Sequence, residues 1–232
     1  MKERPILFNA EDVRAILDGK KTQTRRVLKP QPEPCDHLPY EGYETAPTEF
    51  FETEGEWACK TCGNGMRTCK EFPFVKGIRC PYGKPGDKLW ARETFLPFDL
   101  DWRYPGRPHD LRDGPWPNVA YEADQDHDRN DCLKWRPSIH MPRWASRITL
   151  KVKNIRIERL QDISEEDAKA EGVLRFEHVA SEQCIAGDLA GRTQGTSPHV
   201  LAFASLWDGI TTPDTQWKQN PWVWVIEFER VK

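Results

Sequence analysis

Trp222-Val223-Trp224-Val225-Ile226-Glu227-Phe228-Glu229-Arg230-Val231 reads as a strand, because aromatic and β-branched side chains dominate it and neither Gly nor Pro interrupts it. From Ser146 to Leu160 the pattern alternates: Ile148, Leu150 and Val152 share one face, then Ile155 and Ile157 resume one position out of phase. Side chains alternate sides along a strand, so this slip calls for a bulge or register change within a long strand or hairpin. Leu89, Ala91, Glu93 and Phe95 would share one face of a further strand, with Trp90, Arg92 and Thr94 on the other. Shorter strand candidates are Pro5 to Phe8, Thr22 to Leu28 and Val119 to Ala123.

Helix signals are few. Asn9 offers an N-cap to a helix with Val13, Ile16 and Leu17 on one face, and Gly19 closes it. Ser164-Glu165-Glu166-Asp167 resembles a capping box opening a short helix that ends at Gly172. Ser197-Pro198 opens a third, carrying Val200, Leu201, Ala204, Leu206 and Trp207 and stopped by Gly209. Many strands with short flanking helices predict an α+β, mainly β class, built as a compact β-barrel or mixed domain. The 232 residues fit one domain over 1–232. Two stretches stand apart from it. Residues 31–76 are rich in Pro and Cys and read as an inserted loop or small metal knuckle that is not part of a sheet core, and 176–197 reads as a flexible loop insertion.

Composition narrows the function classes. Net charge is -3, from 34 basic and 37 acidic residues, which excludes a polycation that coats nucleic acid but leaves room for a local basic patch. No apolar run approaches the roughly 18 residues of a membrane helix, and the start Met1-Lys2-Glu3-Arg4-Pro5 lacks a signal-peptide core, so the expectation is a cytoplasmic protein without a membrane partner. Ten Trp and ten Phe supply bulk for a core. Five of the seven Cys lie between 35 and 80, which points to metal before disulfides in such a chain. Cys59-x-x-Cys62-Gly63 has the shape of a zinc knuckle, with Cys35, Cys69 and Cys80 as candidates to complete it. The alternative is a set of reduced, unliganded thiols.

The densest chemistry is Gly19-Lys20-Lys21-Thr22-Gln23-Thr24-Arg25-Arg26, with four cations just past a helix end. Such cations can simply offset the negative end of the helix dipole and face solvent. Thr22, Thr24 and Arg26, however, share a strand face and could present hydroxyls and a guanidinium together. Lys21 and Thr24 are an odd number apart, so they converge only if Lys21 still lies in the turn after Gly19. Trp135-Arg136-Pro137-Ser138-Ile139-His140-Met141-Pro142-Arg143-Trp144 interleaves aromatics with Arg, a pattern suited to stacking on a base beside a phosphate, or to packing Trp on the barrel under Arg stems.

Gly19-x-Lys21-x-x-Thr24-x-Arg26 resembles the signature of ASCH domains, which are small PUA-like β-barrels, and Leu89-Trp90-Ala91-Arg92-Glu93 resembles the family's second strand motif. Lys2 to Ile6, Cys80-Pro81-Tyr82-Gly83 and Ser138 to Arg147 are similar to ASCH proteins of bacteriophages and prophages. Those relatives carry the Cys80 piece at the barrel entrance, which leaves Cys35, Cys59, Cys62 and Cys69 as the ligands of a structural zinc. Some small bacterial members remove the acyl group from N4-acetylcytidine, and their working trio carries over to Lys21, Thr24 and Glu93. A Thr hydroxyl needs a nearby base, which a neutral Lys could supply, while Glu93 could orient the ammonium or handle the leaving amine's proton. Glu93 beside Lys21 would favour the charged ammonium instead, so Lys21 as nucleophile stays open, as does Glu93 as a buried salt-bridge partner of Lys21 or Arg26. Arg26, Trp90, Arg92, Arg143 and Trp144 are the candidates for holding substrate. The resemblance implies an amidohydrolase for N4-acylcytidine-type nucleosides or bases that needs no cofactor for its chemistry. The rival readings are a non-catalytic reader of RNA or modified DNA and a regulator acting through a protein partner.

Overall fold

The computed structural model describes residues 2–31, 50–53, 56–59, 78–98, 118–125, 135–173 and 197–231. Its strands are β1 (Glu3–Leu7), β2 (Gln23–Val27), β3 (Phe50–Thr53), β4 (Glu56–Cys59), β5 (Ile78–Arg79), β6 (Lys88–Arg92), β7 (Phe95–Phe98), β8 (Asn118–Tyr121), β9 (Thr149–Arg159) and β10 (Trp222–Arg230). The α-helices among the described residues are α1 (Ala10–Leu17), α2 (Glu165–Ala170) and α3 (Pro198–Ile210). The class is mixed α+β, mainly β.

Strands β9 and β10 pair antiparallel, with Trp222 opposite Arg159 and Arg230 opposite Leu150. Their register shifts between Glu227 and Phe228, whose partners are Asn154 and Val152, so Lys153 is the extra residue of a bulge. That one residue returns Ile155 and Ile157 to the face of Leu150 and Val152, as the interrupted alternation requires. The main sheet runs β1-β6-β9-β10-β2, with β1 parallel to β6 and the other neighbours antiparallel. On its inner face Leu89, Ala91, Leu150, Val152, Ile155, Ile157, Trp224, Ile226 and Phe228 bury themselves with Val13 and Ile16 of α1. On the outer face Val223 and Val225 lie under Val200, Phe203 and Trp207 of α3, with Leu160, Ile163 and Ala168 beside them. Fully burying each such aliphatic side chain contributes about 1.5–3 kcal/mol, so the two-sided burial of β10 anchors the sheet. Leu89, Ala91, Glu93 and Phe95 are buried and Trp90, Arg92 and Thr94 half-buried, as the alternation predicts, although β6 ends at Arg92 and Phe95 opens β7.

The caps follow the sequence signals. Asn9 accepts a hydrogen bond from the Asp12 amide at 2.6 Å, and Ser164 accepts one from the Asp167 amide at 3.0 Å. Ser197 caps α3, which runs one residue past Gly209.

The sheet is not a closed barrel: β1 and β2 are its two edges, and no ladder joins them among the described residues. After α1 the chain pairs Lys21 with Glu171, and the Thr22 amide donates to the Ala170 carbonyl at 2.9 Å, which joins the end of α2 to the entrance of β2. The edges still approach each other. Arg26 of β2 donates to the Leu7 carbonyl of β1, and its guanidinium lies 5.3 Å from the Phe8 ring centroid.

Within 31–76, expected as an insertion that is not part of the sheet core, β3 and β4 join β5 in a separate antiparallel sheet ordered β3-β4-β5. Phe50, Phe51 and Trp57 are strong strand formers, a signal that the nearby prolines obscure. Cys59 ends β4, while Cys35, Cys62 and Cys69 lie outside the described residues, and so does the zinc they were expected to bind. Cys80 is buried in the hydrophobic core. The 176–197 loop falls outside the described residues except for Ser197. No helix among the described residues is long and apolar enough to cross a membrane.

Short helix α2 is held on the sheet by charge. The buried Arg25 side chain donates to Asp167 at 2.9 Å, to Glu158 at 3.2 Å and to Glu171 at 3.3 Å. Arg156 also bonds Asp167, at 3.0 Å, and pairs with Glu158 and Glu227. Burial alone would raise the Asp167 carboxyl, but hydrogen bonding and charge from Arg25 and Arg156 outweigh it and hold the group below its usual range. A depressed carboxyl contributes stability above its unfolded pKa and loses it as pH falls through the lower folded value. Asp167→Asn is therefore expected to cost about 1–3 kcal/mol near neutral pH. That difference should shrink as urea unfolding is repeated at pH values descending through and below the ordinary aspartate range.

Candidate functional site

Gly19 has φ 73°, a conformation that favours glycine, and it turns the chain out of α1. The Lys20 and Lys21 amides both donate to the Ala15 carbonyl, at 2.8 and 3.0 Å, so Lys21 still lies in the turn while Thr24 is already in β2. The odd spacing is thereby overcome: both side chains reach one cleft of about 110 Å³ beside the edge strand β2. Asn9, Asp12, Arg26 and Glu171 complete its polar side; Val173, Phe203, Leu206, Trp207 and Ile210 form an apolar wall, mostly from α3. Thr24 is 3% exposed, and its hydroxyl makes no hydrogen bond among the described residues.

Lys21 is clamped. Its Nζ donates to the Glu171 backbone carbonyl at 2.6 Å and to Glu171 Oε2 at 2.9 Å, and it lies 3.3 Å from Asp12 Oδ1. The C-terminal end of α2 adds its negative dipole on the same side. An ammonium has three donors and no acceptor, and all three are drawn to these oxygens. In this geometry Lys21 is a donor to all three oxygens and offers Thr24 no lone pair. Gly172 permits the clamp. With φ 79°, it sits where a Cβ would come 2.9 Å from Ala15 Cβ and 3.0 Å from Lys21 Cβ.

Glu93 is elsewhere. It does not line the cleft, and its partner is neither Lys21 nor Arg26. Arg147 grips both carboxylate oxygens, with Nε and one terminal nitrogen each at 3.0 Å, and also binds Asp124 at 2.6 Å. The Arg147 guanidinium lies 3.9 Å from the Tyr121 ring centroid. Burial raises the Glu93 carboxyl above its usual range, against the hydrogen bonds and charge of Arg147. The expected trio is therefore split: Lys21 and Thr24 share a cleft, and Glu93 is the buried half of an ion pair with a residue the sequence reading did not single out.

Arg26 lines the cleft, tied to Leu7 and Phe8. The other substrate-binding candidates gather away from it. Arg92 and Arg143 lie 5.3 and 5.8 Å from the centroid of the half-buried Trp90 ring, Arg92 bonds the Met141 carbonyl at 3.0 Å, and Arg143 pairs with Glu3 at 3.0 Å. Trp144 packs against Phe95, Met141 and Ala145.

Glu171 and Asp12 are the site residues that sequence reasoning missed. Nothing local could announce a contact between residues 150 positions apart.

Comparison with family models, with curated proteins and with solved structures finds no match.

Removing one member of a buried ion pair strands the other, so Glu93→Ala is expected to destabilise the protein by about 3–5 kcal/mol, and Glu93→Gln by less. Chemical denaturation of both variants beside wild type reads this directly.

Proposed function

We propose that this chain is an amidohydrolase acting on N4-acylated cytidine-type nucleosides or bases, built on a PUA-like sheet of the ASCH kind. The observation that carries the reading is the convergence of buried Lys21 and Thr24 on one cleft that has a polar side and an apolar wall. Thr24 supplies the hydroxyl that attacks the acyl carbon. Lys21, held at the cleft by Glu171 and Asp12, stabilises the negative charge that develops on the carbonyl oxygen through its field, or directly once Asp12 releases one donor. Asp12, partly exposed and lining the same cleft, takes the hydroxyl proton and passes it to the departing amine as the C–N bond breaks. Water then hydrolyses the threonyl ester, releasing the acid and restoring the hydroxyl. Arg26 orients the base or sugar, and the α3 wall excludes water from the acyl group.

Purified wild type should hydrolyse N4-acetylcytidine, and Thr24→Ala should lower kcat by at least about 100-fold while leaving thermal unfolding within a few degrees of wild type. Lys21→Ala should abolish turnover too, with a larger stability loss because Glu171 and Asp12 lose their cation. Equal turnover in wild type and Thr24→Ala would refute the reading.

A second reading, a reader of RNA or modified DNA, is favoured by Arg92 and Arg143 flanking Trp90 outside the cleft. It predicts salt-dependent oligonucleotide binding that weakens in Arg143→Ala. A structural zinc on Cys35, Cys59, Cys62 and Cys69 belongs to both readings, and metal analysis of the purified protein should then find about one zinc per chain.

A further inference from the structure

We propose that the apolar stripe of α3 is an acyl subsite that favours N4-acyl groups of four or more carbons over acetyl, with Leu206 and Ile210 setting that preference. The inference rests on the amidohydrolase reading and names the acyl group within it.

Phe203, Leu206, Trp207 and Ile210 recur at the spacing of one helix face, and all four line the Lys21–Thr24 cleft. The stripe has two parts. Phe203 and Trp207 are buried in the cluster that holds Val223 and Val225 of β10, so packing of the sheet accounts for them. Leu206 and Ile210 are 43% and 70% exposed and continue the stripe beyond that core. Among the described residues the other exposed large hydrophobics, Leu7, Ile139 and Val231, lie on separate segments, so this pair is the one that forms a continuous face. An apolar face kept open beside a polar cleft marks a place for the apolar part of a ligand.

The two sides of the cleft sort the two halves of the substrate. A cytosine ring and a ribose carry donors and acceptors along their edges, which would lose water and gain no partner against Leu206 and Ile210. Asn9 and Arg26, on the polar side, supply such partners. An alkyl chain needs none, and each methylene fully buried on the stripe strengthens binding by about fourfold. An acetyl group ends at its methyl, whereas a butanoyl group adds two methylenes to lay on the stripe. The floor beneath is held in place beforehand: Trp207 Nε1 donates to the Thr215 carbonyl at 2.8 Å, and the Phe203 ring centroid lies 5.9 Å from that of Trp207.

Steady-state hydrolysis of N4-acetyl-, N4-butanoyl- and N4-hexanoylcytidine keeps the nucleoside constant and varies only the chain. Wild type should show kcat/KM about tenfold higher for butanoyl than for acetyl, and Leu206→Ser combined with Ile210→Ser should reduce that ratio to about twofold. Both positions are exposed, so the double variant should melt within a few degrees of wild type; if it does not fold, Ile210→Ser alone provides the comparison. A ratio near one in wild type overturns the proposal. So does a ratio unchanged in the variant, with kcat/KM falling equally at every chain length, because the stripe would then hold the nucleoside. A second assay needs no turnover: affinities of acetate, butanoate and hexanoate by ligand-detected NMR. They should tighten by about threefold per methylene in wild type and lose that trend in the variant. If wild type hydrolyses none of the three nucleosides, the amidohydrolase reading fails and the carboxylate series alone decides the apolar subsite, a flat series overturning it.

Discussion

A guanidinium cannot be buried cheaply, and the structure is arranged around the burial of Arg25. Its terminal nitrogens reach a carboxylate of the sheet (Glu158), one of helix α2 (Asp167) and one at the cleft (Glu171). Those partners offset a desolvation cost of several kcal/mol, and in doing so they lock α2 against β2 at one place and in one orientation. Nε of Arg25 has no partner, so the pairing is incomplete, which leaves the network more dependent on the bonds it has. A six-residue helix is too short to hold itself together, so its position is a consequence of this charge pairing and of Ala168 packing beneath it.

The same end of α2 pairs with Lys21 and Thr22 at the entrance to β2, and no ladder joins β2 to β1 among the described residues. The gap between the two edges is bridged by one arginine, Arg26, and filled from within by α1. Beside this edge the cleft opens, with α3 as its apolar wall. Leu206 and Ile210 remain exposed at the mouth, where a ligand's apolar part would cover them.

Two glutamates illustrate how similar sequence contexts diverge in three dimensions. Glu93 follows a buried-exposed alternation and is itself buried, yet it spends both oxygens on Arg147 and stabilises the region around Tyr121 and Asp124. Glu171 follows a polar helix, yet it is buried at the cleft and paired with Lys21. Burial determines the energetic weight of each, and the partner determines its role.

Much of this was legible in the residues themselves. The strand pattern of 222–231, the slip between Val152 and Ile155, the alternation through Leu89 and Phe95, and the caps at Asn9, Ser164 and Ser197 depend on local sterics and on a period of two, which the chain carries without reference to its fold. The convergence of Lys21 and Thr24 was legible only as a condition, that Lys21 lie in the turn after Gly19, and the backbone meets it. The separate sheet of β3, β4 and β5 was not legible, because prolines mask the strand-forming aromatics around β3 and β4. What only the tertiary structure decided is which charges meet. The partners of Lys21, Arg25 and Glu93, the failure of the sheet to close, and the identity of the carboxylate at the cleft all depend on contacts between residues tens to well over a hundred positions apart. Such pairings are selected by burial and geometry after collapse, and no local pattern encodes them.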